Sequence, residues 1–364
     1  MSGVSGRKLD NILNKVSLEN RTPITGLFEL TPLCNLACKM CFVHVQSPGV
    51  KDRVLSGEQW IALMKESVAA GLLRAVLTGG EAMMHPDFWE IYMYLASQGV
   101  RTVVKTNGIL LDGEAVRKFT EYPPVSVDVS LYGSSGEAYA ALTGRDVFET
   151  VTENIRRAIE AGLRVQISIT PSRYMLPWVE ETMDLAKSFG TGVIVNDVLL
   201  EARDTTGRKL DGYNLSLDEY AEIDRLRREK FPAETKAAPE KDVPPERGSG
   251  TGDQAGAREK RLACSAGRNS FAINWDGIMV PCLAFPREIA AAKPFETGFE
   301  AAWKSVNGSV ERYEIPDACL TCRHFEKCKY CPPQHGAVSA QRQCNPDVCG
   351  YWDLYFRARE GTGK

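Results

Sequence analysis

Short apolar runs alternate with helix-like hydrophobic patterns from about residue 24 to about residue 198. Each run is rich in β-branched or large apolar residues, and glycine or proline flanks most of the runs, as is usual for strands. The pattern therefore predicts six strands, at positions 26–30, 74–78, 101–105, 126–131, 164–170 and 192–198.

The segments between these strands have the periodicity of helices. Ser56 and Gln59 have the spacing of a capping box, in which two side chains satisfy backbone N–H groups at a helix start, and Gly71 suits a helix end. Helices are predicted over 56–70, 87–97, 147–161 and 178–189. Strands that alternate with helices form a parallel sheet covered by helices. We therefore expect an α/β fold, an open or partial barrel, with its function at the carboxyl ends of the strands.

The rest of the chain has a different composition. A charged helix is expected from Ser216 to about Lys230, and the stretch that follows is rich in proline, glycine, alanine and charge, which predicts a flexible linker. From position 262 onward there are eight cysteines and one hairpin, with Asp276-Gly277 as its two-residue turn. The predicted organisation is an N-terminal extension (1–23), the barrel (24–212), a bridging helix and linker (213–261) and a small cysteine-rich domain (262–364).

Charge and hydropathy exclude some classes of protein. The net charge of −3 gives no basic excess of the kind that nucleic-acid-binding proteins carry. No apolar run approaches the roughly 18 residues that cross a bilayer, and the N-terminus lacks the apolar segment of a signal peptide. We expect a cytoplasmic protein with no nucleic-acid partner and no membrane association.

Eleven cysteines are the main chemical signal in the sequence. The odd count and the expected reducing compartment argue against a disulfide framework and favour metal binding. Cys34, Cys38 and Cys41 follow the first predicted strand in C-x3-C-x2-C spacing. Three thiolates on one loop suit a [4Fe–4S] cube whose fourth iron has no protein ligand. A zinc site with a distant fourth ligand, or three buried thiols, is the alternative.

Four further segments follow the cysteine loop TPLCNLACKMCF. The second strand ends in LTGGEAMMHPDF, the third in KTNG and the fourth in DVSLYG, and LTGRDVFETV comes next. This series resembles the radical S-adenosylmethionine (SAM) superfamily. The resemblance implies a TIM-like partial (β/α)6 barrel in which the three cysteines hold the cluster and its open iron binds SAM. Two positions depart from the family pattern, with Ala82 in place of a proline and Tyr132 in place of an aspartate.

The resemblance also implies contacts to SAM. Glycines of the GGE segment would let the backbone approach the ligand, and Glu81 would accept hydrogen bonds from the SAM ammonium. Arg145 suits the SAM carboxylate, together with Ser130, because a guanidinium bonds both oxygens. The predicted SAM-binding residues, of which the first and last would lie beside the adenine, are Met40, Gly79, Gly80, Glu81, Asn107, Ser130, Arg145 and Leu199.

The C-terminal cysteines resemble the SPASM motif, which carries two auxiliary [4Fe–4S] clusters. The central run reads C-x2-C-x5-C-x2-C, whereas the family usually has three residues between the last pair. The resemblance implies one auxiliary cluster on Cys264, Cys282 and Cys331. It implies a second auxiliary cluster on Cys319, Cys322, Cys328 and Cys349. Cys344 would complete the first of these, so that three clusters use every cysteine; otherwise one iron is open to substrate. A zinc ribbon is the alternative.

The resemblance implies an oxidoreductase that cleaves SAM reductively to a 5′-deoxyadenosyl radical, which then abstracts a hydrogen atom. Relatives with a SPASM domain mostly act on peptides or proteins, so we expect maturation of a ribosomally synthesised peptide by a thioether or carbon–carbon crosslink. An electron donor such as flavodoxin or ferredoxin is an expected partner. About 25 residues precede the first strand, too few for a leader-binding domain, so a separate leader-recognition protein is also expected.

Other reactions stay open as alternatives. The first is oxidation of a small molecule, such as a tetrapyrrole precursor or an amino-sugar alcohol. Sulfatase maturation is disfavoured because Leu283 stands where those relatives have a catalytic aspartate. Peptide epimerisation needs a spare cysteine as hydrogen donor, and only Cys344 is available. A non-catalytic electron carrier does not fit the complete SAM-site pattern.

Overall fold

The computed structural model describes residues 6–43, 49–196, 215–232, 262, 264–325, 328, 331–332 and 346–360. Leu199, a predicted SAM contact, and Cys344, a predicted cluster ligand, lie outside the described residues, as does most of the predicted linker. Six strands follow the predicted pattern closely: β1 (Thr25–Glu29), β2 (Arg74–Thr78), β3 (Arg101–Thr106), β4 (Ser126–Ser130), β5 (Val165–Ile169) and β6 (Gly192–Val195). The predicted α/β partial barrel is thus confirmed.

Two strands from the cysteine-rich region complete the same sheet. They are β7 (Ser270–Ile273) and β8 (Met279–Val280), and the strand order is β6-β5-β4-β3-β2-β1-β7-β8. β7 pairs parallel to β1, and β8 is antiparallel to β7. The Phe28 and Phe271 rings meet edge to face, with centroids 5.7 Å apart. The expected hairpin therefore forms, and it extends the barrel sheet instead of standing apart from it.

The helices pack around this sheet. Ser56 caps its helix as predicted: its Oγ accepts a hydrogen bond from the Gln59 N–H at 3.2 Å, and its own N–H donates to Gln59 Oε1 at 2.9 Å. Single 3-10 turns lie at Lys51–Arg53, Ala82–Met84 and Leu176–Trp178. The helices are α1 (Gly6–Asn20), α2 (Gly57–Ala69), α3 (Phe88–Ser97), α4 (Gly113–Glu121), α5 (Gly136–Thr143), α6 (Phe148–Glu160), α7 (Val179–Ser188), α8 (Leu217–Lys230), α9 (Pro294–Thr297), α10 (Phe299–Arg312), α11 (Asp317–Leu320) and α12 (Pro346–Glu360).

One face of each strand packs against the helices. Val104, Val127 and Val129 are fully buried in the main core. Because side chains alternate along a strand, the residues between them point toward the barrel interior. Among the described residues, no helix is both long enough and apolar enough to span a membrane.

The first helix covers the amino ends of the strands. Asp10 Oδ1 pairs with Arg74 Nη2 at 2.7 Å and with Arg101 Nη1 at 3.2 Å, and these arginines begin β2 and β3. The Trp303 indole N–H, on α10, donates to the Arg21 carbonyl at 2.8 Å. The chain from Gly6 to β1 is thus part of the packed structure, at the end of the barrel opposite the cysteine loop.

The hairpin turn is longer than predicted. Gly277 N–H donates to the Asn274 carbonyl at 2.8 Å, and Asn274 N–H donates to the Ile278 carbonyl at 2.9 Å. The connection is therefore a three-residue loop, Trp275 to Gly277, and the prediction of a two-residue turn was wrong. Gly277 has φ 81°, which closes such a loop without steric cost. An Asp-Gly pair suits both loop lengths, and only the pairing of β7 with β8 decides between them.

Candidate active site

The loop that carries the first three cysteines crosses the carboxyl edge of the sheet beside the end of β2. The Gly80 N–H donates to the Thr31 carbonyl at 2.8 Å, and the Glu81 N–H donates to the Leu33 carbonyl at 2.8 Å. Backbone hydrogen bonds thus join the start of the cysteine loop to the GGE segment.

Gly79 and Gly80 allow this close approach. A Cβ on Gly79 would lie 2.4 Å from the Thr31 carbonyl oxygen. A Cβ on Gly80 would lie 2.5 Å from the Leu33 oxygen and 2.6 Å from that of Pro32. Real Cβ atoms do not come so near to oxygen, so only glycine fits at either position. The absence of side chains at Gly79 and Gly80 lets the cysteine loop pack against them. Their expected contact with SAM stays a prediction.

The other side of the cysteine loop rests against the end of α5. The Ala37 N–H donates to the Thr143 carbonyl at 2.9 Å, and the Lys39 N–H donates to the Leu142 carbonyl at 3.0 Å. The last carbonyls of a helix have no partner within the helix, so α5 offers acceptors to the loop. Just beyond the helix, Arg145 Nη1 donates to the Asn35 carbonyl at 2.8 Å. The loop is therefore clamped between β2 and α5.

Cys34, Cys38 and Cys41 lie together on this clamped loop, and none of the three forms a disulfide. Burial raises the pKa of the Cys34 thiol to about 11, and the negative charges of Glu81 and Cys41 add to the shift. Burial, and then the charges of Cys41 and Cys34, also raise the pKa of Cys38. Thiols in such surroundings ionise when a cation holds them.

This donor set fits an iron–sulfur cluster, because soft thiolates are the usual ligands of such clusters. A single zinc ion, with bonds of about 2.3 Å to sulfur, draws its ligands closer together than a cluster of four irons does. Within the described ranges, no three His, Cys, Asp or Glu side chains converge closely enough for a single ion.

Glu81 and Asn107 connect neighbouring strand ends beneath the loop. Glu81 is buried, with 1% of its surface exposed, and its Oε2 accepts a hydrogen bond from the Asn107 N–H at 2.7 Å. Its Oε1 accepts from the Met83 N–H at 3.2 Å. Burial raises the pKa of Glu81 to about 7. The Asn107 amide donates to Asn35 Oδ1 at 2.7 Å and lies 3.7 Å from Cys34 Sγ. These two predicted residues do lie at the cysteine loop.

Tyr132 is a residue whose place in the site the sequence pattern did not reveal. Its hydroxyl lies close enough to the Cys38 thiol to lower the pKa of that thiol, and burial raises the pKa of Tyr132 itself well above the usual value. Ser130 ends β4 and pairs with Ser168 of β5. Met40 is buried within the loop. The departure from the family's aspartate was the available signal for Tyr132, because the changed side chain stands two residues after Ser130, a predicted SAM contact.

A second polar group, also not predicted, lies at the ends of β5 and β6. The Asn196 amide donates to Ser168 Oγ at 2.8 Å and to Thr170 Oγ1 at 3.3 Å. The carboxyl ends of parallel strands meet at one edge, where barrel sites form. This rule would have identified the three residues, although none belongs to a recognised motif.

The C-terminal cysteines border a second, smaller core. The cysteines that pack against it are Cys264, Cys282 and Cys319. This core consists of Leu262, Phe285, Ala290, Val310, Tyr313, Ile315 and Phe325. Two predicted ligands of the first auxiliary cluster thus share a core with one ligand of the second. Cys331 is half-buried, and its assignment stays a prediction.

The central cysteine run forms successive turns and is tied to the last helix. The Cys322 N–H donates to the Cys319 carbonyl at 3.1 Å, and the Cys328 N–H donates to the His324 carbonyl at 2.7 Å. The His324 Nε2–H donates to Asp353 Oδ1 at 2.6 Å, which links this run to α12. Cys349 lies on α12 one turn before Asp353, and its assignment to the second auxiliary cluster stays a prediction.

Comparison with known proteins agrees with this geometry. Residues 28–186 match the sequence profile of the radical SAM superfamily. The chain is 26% identical over 322 residues to the mycofactocin maturase MftC of Mycobacterium tuberculosis, covering 84% of this chain and 77% of that protein. It is 24% identical over 360 residues to an AdoMet-dependent heme synthase of Oleidesulfovibrio alaskensis, covering 92% of this chain and 89% of that protein.

The fold is similar to that of SuiB from Streptococcus suis. The SuiB structure with bound S-adenosylmethionine superposes with a TM-score of 0.67 at 16% identity, covering 93% of this chain and 81% of SuiB. The SuiB structure with the precursor peptide SuiA gives 0.67 at 17% identity, covering 95% and 81%. The sequence match runs from β1, through the cysteine loop, into α7, and it shows that residues 28–186 form a radical SAM domain.

Proposed function

We propose that this chain is a peptide maturase that crosslinks a ribosomally synthesised peptide through a thioether or carbon–carbon bond. The observation that carries the proposal is the clamped loop, which holds three thiols at the carboxyl edge of the barrel. The sequence likeness to a maturase covers 84% of the chain. The fold likeness to SuiB, which has been solved with its precursor peptide, covers 95%. Both support a peptide as the substrate class.

In this proposal Cys34, Cys38 and Cys41 hold the first cluster. Bound SAM and its cluster supply the hydrogen-abstracting radical chemistry. The chain orients SAM: Arg145 and Ser130 bind its carboxylate, and Glu81 accepts hydrogen bonds from its ammonium. Arg145 already anchors the loop through the Asn35 carbonyl, and its remaining N–H groups are available to a ligand because a guanidinium has five.

The proposal includes two auxiliary clusters, which brings the total to three. Such clusters would supply an acceptor for the electron that is released when a crosslink forms. The eight C-terminal cysteines are their ligands, in the sets that the SPASM resemblance implies. The shared small core beside three of these cysteines supports a compact cluster-binding unit. Oxygen-sensitive clusters suit a reducing cytoplasm, where flavodoxin or ferredoxin is the proposed electron donor.

The test is anaerobic incubation of the reconstituted enzyme with SAM, flavodoxin or dithionite, and the peptide encoded beside its gene. We expect 5′-deoxyadenosine and a peptide that has lost two hydrogens, located by tandem mass spectrometry. A parallel reaction contains any leader-recognition protein encoded nearby. The Cys34→Ala variant is the control and yields neither product. An unmodified peptide despite abundant 5′-deoxyadenosine contradicts the proposal.

Oxidation of a tetrapyrrole precursor is the second candidate. The sequence likeness to a heme synthase covers 92% of this chain and 89% of that protein, whereas the likeness to the maturase covers 84% and 77%. Incubation of the same enzyme with a carboxylated porphyrin separates the two functions. Release of carbon dioxide from the porphyrin, with no change in the peptide, favours this second candidate.

A further inference from the structure

A row of polar side chains lines the barrel interior one layer below the cysteine loop. The opposite faces of these strands are buried against helices, as Val104, Val127 and Val129 show, so the intervening residues face inward. Strand registers align Lys105 with Asp128 and Asp128 with Gln166. We call this set, which spans β1 to β5, the lumen row: Glu29, Thr78, Lys105, Asp128 and Gln166.

Lys105 is the accessible charge of the lumen row. Its side chain is 43% exposed, whereas that of Asp128 is 8% exposed. Asp128 Oδ1 accepts a hydrogen bond from Ser126 Oγ at 2.7 Å, within the same strand. Asp128 Oδ2 is 3.4 Å from Lys105 Nζ, longer than the roughly 2.7–2.9 Å of a strong charge-assisted hydrogen bond. An ammonium has three N–H donors, so the contact with Asp128 orients Lys105 and leaves N–H donors of its ammonium for a ligand.

The other carboxylate of the lumen row, that of Glu29, does not neutralise the Lys105 ammonium, because the two residues lie on strands that are not neighbours. Glu29 is fully buried on β1, and β2 separates β1 from β3. Neighbouring strands are about 4.8 Å apart, so the Glu29 and Lys105 backbones are separated by roughly 9.6 Å. The Lys105 ammonium, on a side chain that is 43% exposed, is therefore more accessible to a negatively charged group in the lumen than the fully buried Glu29 carboxylate.

The position of Lys105 relates this charge to the reaction centre. Asn107 is two residues further along the same face of β3, which corresponds to roughly 7 Å at 3.3 Å per residue. The Asn107 amide is 3.7 Å from Cys34 Sγ. A group bound at Lys105 thus lies one layer beneath the loop that carries Cys34, Cys38 and Cys41.

We propose that Lys105 binds a carboxylate of the substrate in the barrel lumen, and that Asp128 and Ser126 position its ammonium. This inference rests on the proposed function for the site but names a feature that no part of the family pattern assigns. In a peptide the carboxylate comes either from an Asp or Glu side chain or from the chain terminus. Both present the same anionic oxygens to the ammonium.

Protection of Lys105 from acetylation tests the proposal without need for turnover. Reconstituted enzyme with SAM is treated with an amine-acetylating reagent in the presence of one of three tripeptides. The first has a central glutamate and both ends blocked, the second has glutamine instead, and the third has only alanine and a free carboxyl terminus. Mass spectrometry measures acetylation at Lys105 and at Lys304, which is 73% exposed on α10 and serves as the control.

We expect the glutamate peptide, the free-acid peptide or both to lower the acetylation rate of Lys105 at least twofold relative to the glutamine peptide. The rate at Lys304 should be the same in all three reactions. The peptide that protects Lys105 shows whether the carboxylate comes from a side chain or from the chain terminus. Equal acetylation of Lys105 with all three peptides overturns the proposal. Acetylation of Lys105 is measured without any reaction product. An enzyme that binds a carboxylate but does not modify the peptide is therefore distinguished from one that does neither.

Kinetics with a peptide that the enzyme modifies provide the second arm. Lys105→Met, which keeps the length of the side chain but not its charge, should raise KM about 10- to 100-fold. Lys105→Arg should restore most of the affinity, and Lys304→Met should match the wild type. Iron content checks that each variant assembles its clusters. A Lys105→Met enzyme with the wild-type KM refutes the assignment.

Discussion

The contact between Gly80 and the cysteine loop predicts a severe effect for a very small substitution. Gly80→Ala adds one methyl group, placed 2.5 Å from the Leu33 carbonyl oxygen and 2.6 Å from that of Pro32. Carbon and oxygen atoms approach to about 3.3 Å in close contacts. The loop must therefore retreat by roughly 0.7 Å, because both obstacles are backbone atoms and no side chain can rotate away.

The retreat has a calculable cost. It stretches the hydrogen bonds from Gly80 N–H to Thr31 and from Glu81 N–H to Leu33, both now 2.8 Å. Overpacking costs about 1–3 kcal/mol, and each backbone hydrogen bond contributes about 0.5–1.5 kcal/mol. With two hydrogen bonds weakened, these values set the expected fall in the free energy of unfolding at about 2–6 kcal/mol. Because the same loop carries Cys34, the variant should also retain less iron at the first cluster.

Urea unfolding of the apo-protein and iron analysis after reconstitution measure these two effects. Gly113→Ala is the matched control, because Gly113 begins α4 and its added Cβ would meet only Arg157 Cδ, at 4.0 Å. Alanine favours a helix over glycine by about 1 kcal/mol, so the control should be unchanged or slightly stabilised. A Gly80→Ala protein with the stability and iron content of the control would refute the reasoning.

Three further predictions concern the ligands. The wild type should bind about twelve irons, and the combined Cys34→Ala, Cys38→Ala, Cys41→Ala variant about eight, with no 5′-deoxyadenosine, because each cluster contains four irons; stoichiometric zinc would contradict this. Arg145→Ala should weaken SAM binding by about 1.5–3 kcal/mol, the range for a charged hydrogen bond, in calorimetry of reconstituted protein; unchanged affinity would remove Arg145 from the SAM site. Cys344→Ala should lose iron and perturb the auxiliary-cluster EPR spectrum, and unaltered spectra would show that Cys344 is not a ligand.

The strand pattern and the chemistry of the first loop could be predicted from the sequence, because both are local. The predicted strand at 74–78 coincides with β2, and a strand's period of two residues is visible in any short window. The capping box at Ser56 is likewise a local motif. The spacing of the first three cysteines indicated a cluster-binding loop, because ligands on one tight loop need no tertiary contact to come together.

Helices α4 and α5 are not among the predicted ones, because they are short and little in their composition separates them from loops. The Asp112 side chain accepts a hydrogen bond from the Ala115 N–H at the start of α4, but Ala115 stands where a full capping box would have Glu or Gln. α5 has a functional consequence, since its terminal carbonyls hold the cysteine loop. A helix as short as α5, which has 8 residues, shows only a weak hydrophobic periodicity in its sequence.

The tertiary structure alone decided three features of the site. It placed β7 beside β1, so that cysteine-rich sequence extends the barrel sheet. It brought Tyr132 against Cys38, and it set Lys105 opposite Asp128 inside the lumen. Each depends on the register between segments that are distant in the chain, and the periodicity of one segment carries no information about its partner. Local pattern determined which elements form and which residues can bind iron, whereas long-range packing determined which of them meet.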